Sequence, residues 1–287
     1  MLTFKGFISY VRRNPALGIG MGILLFLILF VTVGRLFVDE SKAYALSVPI
    51  NQPPSKEYPF GTDSQGKDLL AGMVVGTGMT LTIGFIAGAI GLGLGALLGF
   101  TSGYYGGTFD TVVKFVVDVL MTIPSFLLLI LIATTLSDPS TLKPVEMALI
   151  LSITAWVRPT RTIRAQVLSM KERPFVMMAK LSGMSGIEII LKEMMPNLLP
   201  FLAISLAGAV SGAVLGSLGL ESLGIGNRRE PTLGMMIYWV RYYAAFIRGM
   251  WWWIMEPIIA IALVFIAFLE ISIGLDEIAN PRTRRRV

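Results

Sequence analysis

Apolar residues run unbroken along most of this chain instead of recurring every three or four positions, as they would on a half-buried helix. Runs of about 18 residues or more with almost no charge have the length an α-helix needs to cross roughly 30 Å of hydrocarbon. Six such spans are predicted, at about 17–38, 73–100, 112–136, 145–167, 198–220 and 251–275. Pro124 predicts a kink in the third. Between the first and second, from Asp39 to about Leu70, the chain turns polar and carries Pro49, Pro53, Pro54 and Pro59, the signature of an irregular surface segment. The expected fold is all-α and polytopic, with six transmembrane helices and a short cytoplasmic helix between the fourth and fifth. Residues 1–72 would supply the first helix and an external segment, and 73–287 a five-helix core.

Composition supports lipid as the main solvent: 54% of the 287 residues are hydrophobic, 15% are charged, and the mean hydropathy is +0.73. A soluble fold has too little interior to hide that much apolar surface. With no Cys and no His, disulfides, thiolate metal sites, cysteine nucleophiles and the commonest general base are excluded. The net charge of +6 comes with no soluble basic domain, so it points to a membrane and not to nucleic acid. Lys5, Arg12 and Arg13 followed by an apolar run and Ala43-Tyr44-Ala45 imitate a secretory signal. The run is too long for one, however, and five further spans follow.

An N-terminus inside the cell puts fifteen of the 24 Lys and Arg residues inside, a bias of the expected sign. It is clearest in the tail (Arg282, Arg284, Arg285, Arg286) and in the loop after the fourth span. Trp251, Trp252 and Trp253 stand where an interfacial aromatic belt belongs.

Glycines in the second span, Gly72, Gly76, Gly84, Gly88, Gly91, Gly95 and Gly99, fall four apart and give one face on which a neighbouring backbone can approach closely. That neighbour is either within this chain or on a partner membrane subunit. The run from Gly61 to Asp68, GTDSQGKD, nearly matches a phosphate-binding loop. It has Asp68 in place of the Mg²⁺-holding hydroxyl and no preceding strand, so ATP binding is not expected of it.

Asp110, Lys114 and Asp118 are spaced four apart at the start of the third span and can form ion pairs on one helix face. Asp118 lies roughly 9 Å into that helix, where an unpaired charge is costly, so it should face protein or water. A charge network near the interface is the plainer reading and a proton or ion path the sharper one; Glu270 is read the same way.

Residues 166–197 combine basic side chains with Phe175, Val176, Met177, Met178 and Leu181. Pro174 and Gly183 predict the start and stop of a short helix over 174–181. Its apolar residues need a cover, either the membrane surface or a groove on a soluble partner.

Taken together these features resemble the second permease of the dipeptide/oligopeptide/nickel family of binding-protein-dependent ABC importers. The likeness begins at Arg12-Arg13-Asn14-Pro15 and continues in Pro59-Phe60-Gly61-Thr62-Asp63 with Gly66-Lys67-Asp68, similar to the family's GTDxxGRD. It goes on through Gly103-Tyr104-Tyr105-Gly106-Gly107, Asp110, Asp118 and Pro124, with Lys114 where the family has Arg, and through Arg158, Arg161 and Arg164. Leu223-Gly224-Ile225-Gly226, Trp251-Trp252 and Asp276 to Pro281 complete it. In the loop such permeases insert into their ATPases, Met177 and Met178 replace the family's Glu and first Ala, while Ala179, Gly183 and Pro196 keep the pattern. Leu233 stands where a Trp is common.

The resemblance implies a transport subunit with no ATPase site of its own, which lets two permeases enclose a path while ATP and Mg²⁺ act on partner subunits. The implied partners are a paralogous permease, two ATPase subunits, an extracytoplasmic binding protein and the bilayer. Pro174, Phe175, Val176, Met177, Ala179, Leu181 and Gly183 would form the coupling helix, with Phe175, Val176, Met177 and Ala179 buried against an ATPase. Peptides lead as substrate, with oligosaccharides and chelated nickel as alternatives. An ion- or proton-coupled carrier using Asp118 or Glu270 is the rival reading. An intramembrane enzyme would need a nucleophile and base in catalytic spacing, which the sequence does not offer.

Overall fold

The computed structural model describes residues 14–135 and 138–279, and apart from one antiparallel bridge between Thr62 and Asp68 its regular structure is helical. The basic residues Lys5, Arg12 and Arg13 and the tail from Pro281 to Arg286 lie outside the described residues. Helix α1 spans Pro15–Gly34, with proline in its first turn, where a missing N–H costs nothing. Helix α2, Leu69–Tyr105, is 37 residues long and starts where the Asp68 carboxylate accepts from the backbone N–H groups of Leu70 and Ala71. The expected division after residue 72 therefore falls one turn inside a continuous helix.

Two expected spans are not single helices. The third is α3 (Gly107–Thr122) and α4 (Ser125–Thr134), bent by 85° where Ile123 is extended ahead of Pro124. The fourth is α5 (Pro144–Ala155) followed by α6 (Val157–Met170), interrupted at Trp156. Its second half carries Arg158, Arg161 and Arg164, so the apolar part is α5 alone, a helix of 12 residues. Helix α7 is Pro174–Leu181. Helix α8, Gly186–Ser222, widens to π geometry over Ile189–Met194, ahead of Pro196 and Pro200, whose rings deny the regular hydrogen-bond ladder two donors. Helices α9 (Leu233–Tyr242) and α10 (Trp251–Ala279) follow. By length and composition α1, α2, α8 and α10 can each cross a membrane, and the bent α3–α4 pair makes a fifth if taken as one span.

Helix α2 is the axis of the packing, and its glycine face is spent inside this chain. A Cβ on Gly88 would lie 2.8 Å from the Val210 backbone nitrogen on α8. One on Gly91 would lie 2.5 Å from the Ala155 Cβ, and one on Gly95 2.5 Å from the Pro159 Cβ. Gly99 and Gly103 meet Ile163 and Val167 in the same way. At the far side α1 lies on α10, with Gly20 against Ala267 and Ile271 and Gly274 against Leu17, so the first helix joins the core. Glu270 sits half-buried at that contact.

The tryptophans divide differently from the belt expected of them. Trp253 is buried among Tyr243 and its neighbours, Trp252 packs on the 35–68 segment at Gly61, and Trp251 alone of the three is exposed.

Candidate functional site

Helix α7 has two apolar faces. Arg173 precedes Pro174 at the first turn. At the other end Gly183, with φ of +81°, lets the Met184 N–H reach the Ala179 carbonyl and the Gly183 N–H reach that of Lys180, a Schellman stop. Val176 and Ala179, three apart, point inward and share a core with Phe100 of α2, Ile163 and Val167 of α6, and Ile189, Ile190 and Met194 of α8. Phe175 is half-buried beside them. The Lys180 ammonium lies 5.5 Å from the centre of the Tyr104 ring, and Gly186 seats against Tyr104 and Tyr105.

The outward face is Met177, Met178 and Leu181, which are 53%, 62% and 82% exposed; Pro174 and Gly183 are exposed as well. The sequence expectation sets Val176 and Ala179 against an ATPase; here they are buried by their own chain, whereas Met178, absent from the expected contact set, faces out with Met177. The helix period explains the split: residues 176 and 179 share a side, and 177, 178 and 181 share the other.

The charged residues of α3 also find a different partner from the one their spacing suggested. The Asp110 carboxylate is held by Arg164 of α6, the guanidinium Nε on Oδ1 and its NH2 on Oδ2 at 2.6 Å, a two-point pair across helices. Among the described residues, neither Lys114 nor Asp118 has an ion-pair partner within 4.0 Å. They line a groove between α3 and α6 with Arg161. The pairing was missed because i,i+4 spacing is visible in a sequence and a contact between residues 54 positions apart is not.

At the opposite end, the 61–68 motif builds a turn and a helix start. Gly61 and Gly66 adopt positive φ, Asp63 accepts from the N–H groups of Gln65 (2.8 Å) and Lys67 (2.9 Å), and Asp68 caps α2. Burial pushes the Asp63 carboxyl up and the Lys67 ammonium down from their ordinary values, opposed by the backbone bonds to Asp63 and by the attraction between the two. The Lys67 ammonium lies 5.9 Å from the Trp239 ring centre.

The chain is thus a helical scaffold with several helices able to span a membrane, a short two-faced helix at one end and a capped loop motif at the other. Residues 91–285 match the family described as binding-protein-dependent transport system inner membrane component, and the chain belongs to that family. It is similar to the dipeptide transport system permease protein DppC of Bacillus subtilis, 28% identical over 275 residues, covering 96% of this chain and 84% of that one. DppC of Alkalihalophilus pseudofirmus is 31% identical over 277 residues (96% and 88%). The oligopeptide transport system permease protein OppC of Mycobacterium tuberculosis is 30% identical over 234 residues (81% and 79%).

Proposed function

We propose that this chain forms half of the path of an ABC importer for peptides, with ATP hydrolysed on separate subunits that dock on α7. The substrate class rests on relatives named for dipeptide and oligopeptide transport. In this reading the chain crosses the membrane six times with both termini cytoplasmic, the α3–α4 and α5–α6 pairs each counting as one span. A second permease completes the path, and an extracytoplasmic protein delivers the peptide near the 35–68 segment.

The observation that carries the docking role is the two-faced burial of α7. Each large apolar side chain removed from water contributes about 1.5–3 kcal/mol, so Met177, Met178 and Leu181 together are a strong call for a cover. Because the inner face is locked to α2, α6 and α8, a push on the outer face moves three long helices. Met177→Lys tests this in the assembled importer. It should insert normally, lose the ATPase on purification, and lose substrate-stimulated ATP hydrolysis. A helix resting on lipid would instead let the new Lys snorkel to the surface and keep full coupling, and that result would remove the docking role.

A further inference from the structure

Next to the Asp110–Arg164 pair, α3 and α6 enclose a groove of about 420 Å³, open on one side, with Val113, Val117 and Thr160 at its base. That volume is in the range of small-ligand sites. Lys114, Asp118 and Arg161 stand at its walls. The ion pairs within 4.0 Å among the described residues are Arg35–Glu40, Arg164–Asp110 and Lys192–Glu188, so none of the three wall charges is engaged in one. Arg161 donates to the Met121 thioether at 3.3 Å, a weak acceptor that leaves most of its guanidinium donors uncommitted.

Lys114, Asp118 and Arg161 are all exposed on this chain, so the groove faces water or protein and not a sealed core. In the permease pair proposed above, the path or its wall supplies that surrounding. Lys114 and Asp118 are one turn apart on α3, with Cβ atoms about 5–6 Å apart, and Arg161 faces them from α6. This is a dipolar site. A dipeptide is a dipolar ligand of matching reach, since two extended residues span about 7 Å.

We propose that this groove is a peptide-handling subsite, in which Arg161 and Lys114 take the C-terminal carboxylate and Asp118 the N-terminal ammonium of a short peptide in transit. The inference rests on the peptide-importer reading above. Arg164 is the positioning residue: its two-point bond to Asp110 fixes α6 against α3 and so sets the width of the groove.

The test uses the complete importer in proteoliposomes with its binding protein, and compares import of one dipeptide as the free acid and as the C-terminal amide. In the wild type the free acid should be favoured. Lys114→Gln and Arg161→Gln should each lower the acid-to-amide import ratio by about tenfold, with Arg161→Lys retaining it. Asp118→Asn should do the same to the ratio of the free to the N-acetylated peptide. Delivery by the binding protein cancels in these ratios. An equal loss of both peptides, or ratios unchanged from wild type, overturns the subsite while leaving the importer standing. Failure of the wild type to import either peptide removes the peptide reading and the subsite with it. Lys114→Gln breaks no ion pair, so it remains decisive if the Arg161 variants do not assemble.

Discussion

Single glycines in α2 decide how close the helices come. Gly91 and Gly95 face α5 and α6 with no room for a methyl group, whereas a Cβ on Gly93, on another side of the same helix, would meet nothing within 4 Å. Gly95→Val should therefore cost about 1–3 kcal/mol by overpacking, since Pro159 and the Thr160 backbone are held by their own helix. Gly93→Ala should instead stabilise by about 0.5–1 kcal/mol, the helix preference of alanine over glycine where a Cβ meets nothing. Thermal unfolding of the purified importer in detergent reads both, and equal melting temperatures for the two variants would show that the glycine face is misassigned. Four-residue spacing in the sequence announces a close-packed face, but it cannot say whether the neighbour is the same chain. The answer comes from Ala155, Pro159 and Val210, which are as small or as flat as the approach requires and which no periodicity marks out.

Among the elements, α7 shows most clearly what the sequence discloses and what it withholds. Pro174 and Gly183 mark its ends because each acts through its own backbone: proline presets φ, and glycine accepts the positive φ of the stop. Which side packs on this chain is set by residues outside the helix, Phe100, Ile163 and Met194, so the sequence of α7 alone does not show that Val176 and Ala179 turn toward them. The same limit applies in part to the breaks. Pro124 signals a kink, yet the 85° angle depends on what surrounds α4, whereas the interruption at Trp156 does have a local cause: Pro159 lacks the N–H that would bond Ala155 and its ring crowds that carbonyl.

The two faces of α7 should separate by mutation. Val176→Ala removes a fully buried side chain's methyl groups and should loosen the helix from its seat by about 2 kcal/mol, seen as faster hydrogen exchange across residues 171–195. Leu181→Ala, at an exposed position, should leave that exchange unchanged and weaken copurification with the ATPase. If both variants changed exchange alike, α7 would have one working face and not two.

At the scale of the whole molecule, the two ends differ in build and should differ in the compartment they meet. One end is the 35–68 segment, held by the Asp63 turn, the Asp68 cap and the buried Lys67 beside Trp239. It carries four basic and five acidic residues, and so lacks the basic excess that is retained on the cytoplasmic side. The other end gathers Lys171, Arg173, Lys180 and Lys192 around the apolar outer face of α7, and basic residues of this kind are retained on the cytoplasmic side during insertion. In the six-crossing arrangement proposed above, orientation is argued from charge, and the even number of crossings from counting each broken pair as one span. Because the chain has no cysteine, single cysteines report without background. Ser55→Cys and Glu172→Cys both lie at exposed positions, one at each end. A membrane-impermeant maleimide should label residue 55 and spare residue 172 in spheroplasts, and the pattern should reverse in inverted vesicles stripped of the ATPase. Labelling of both from one side would require an even number of crossings between them, and so would make either the α3–α4 pair or the α5–α6 pair a re-entrant hairpin.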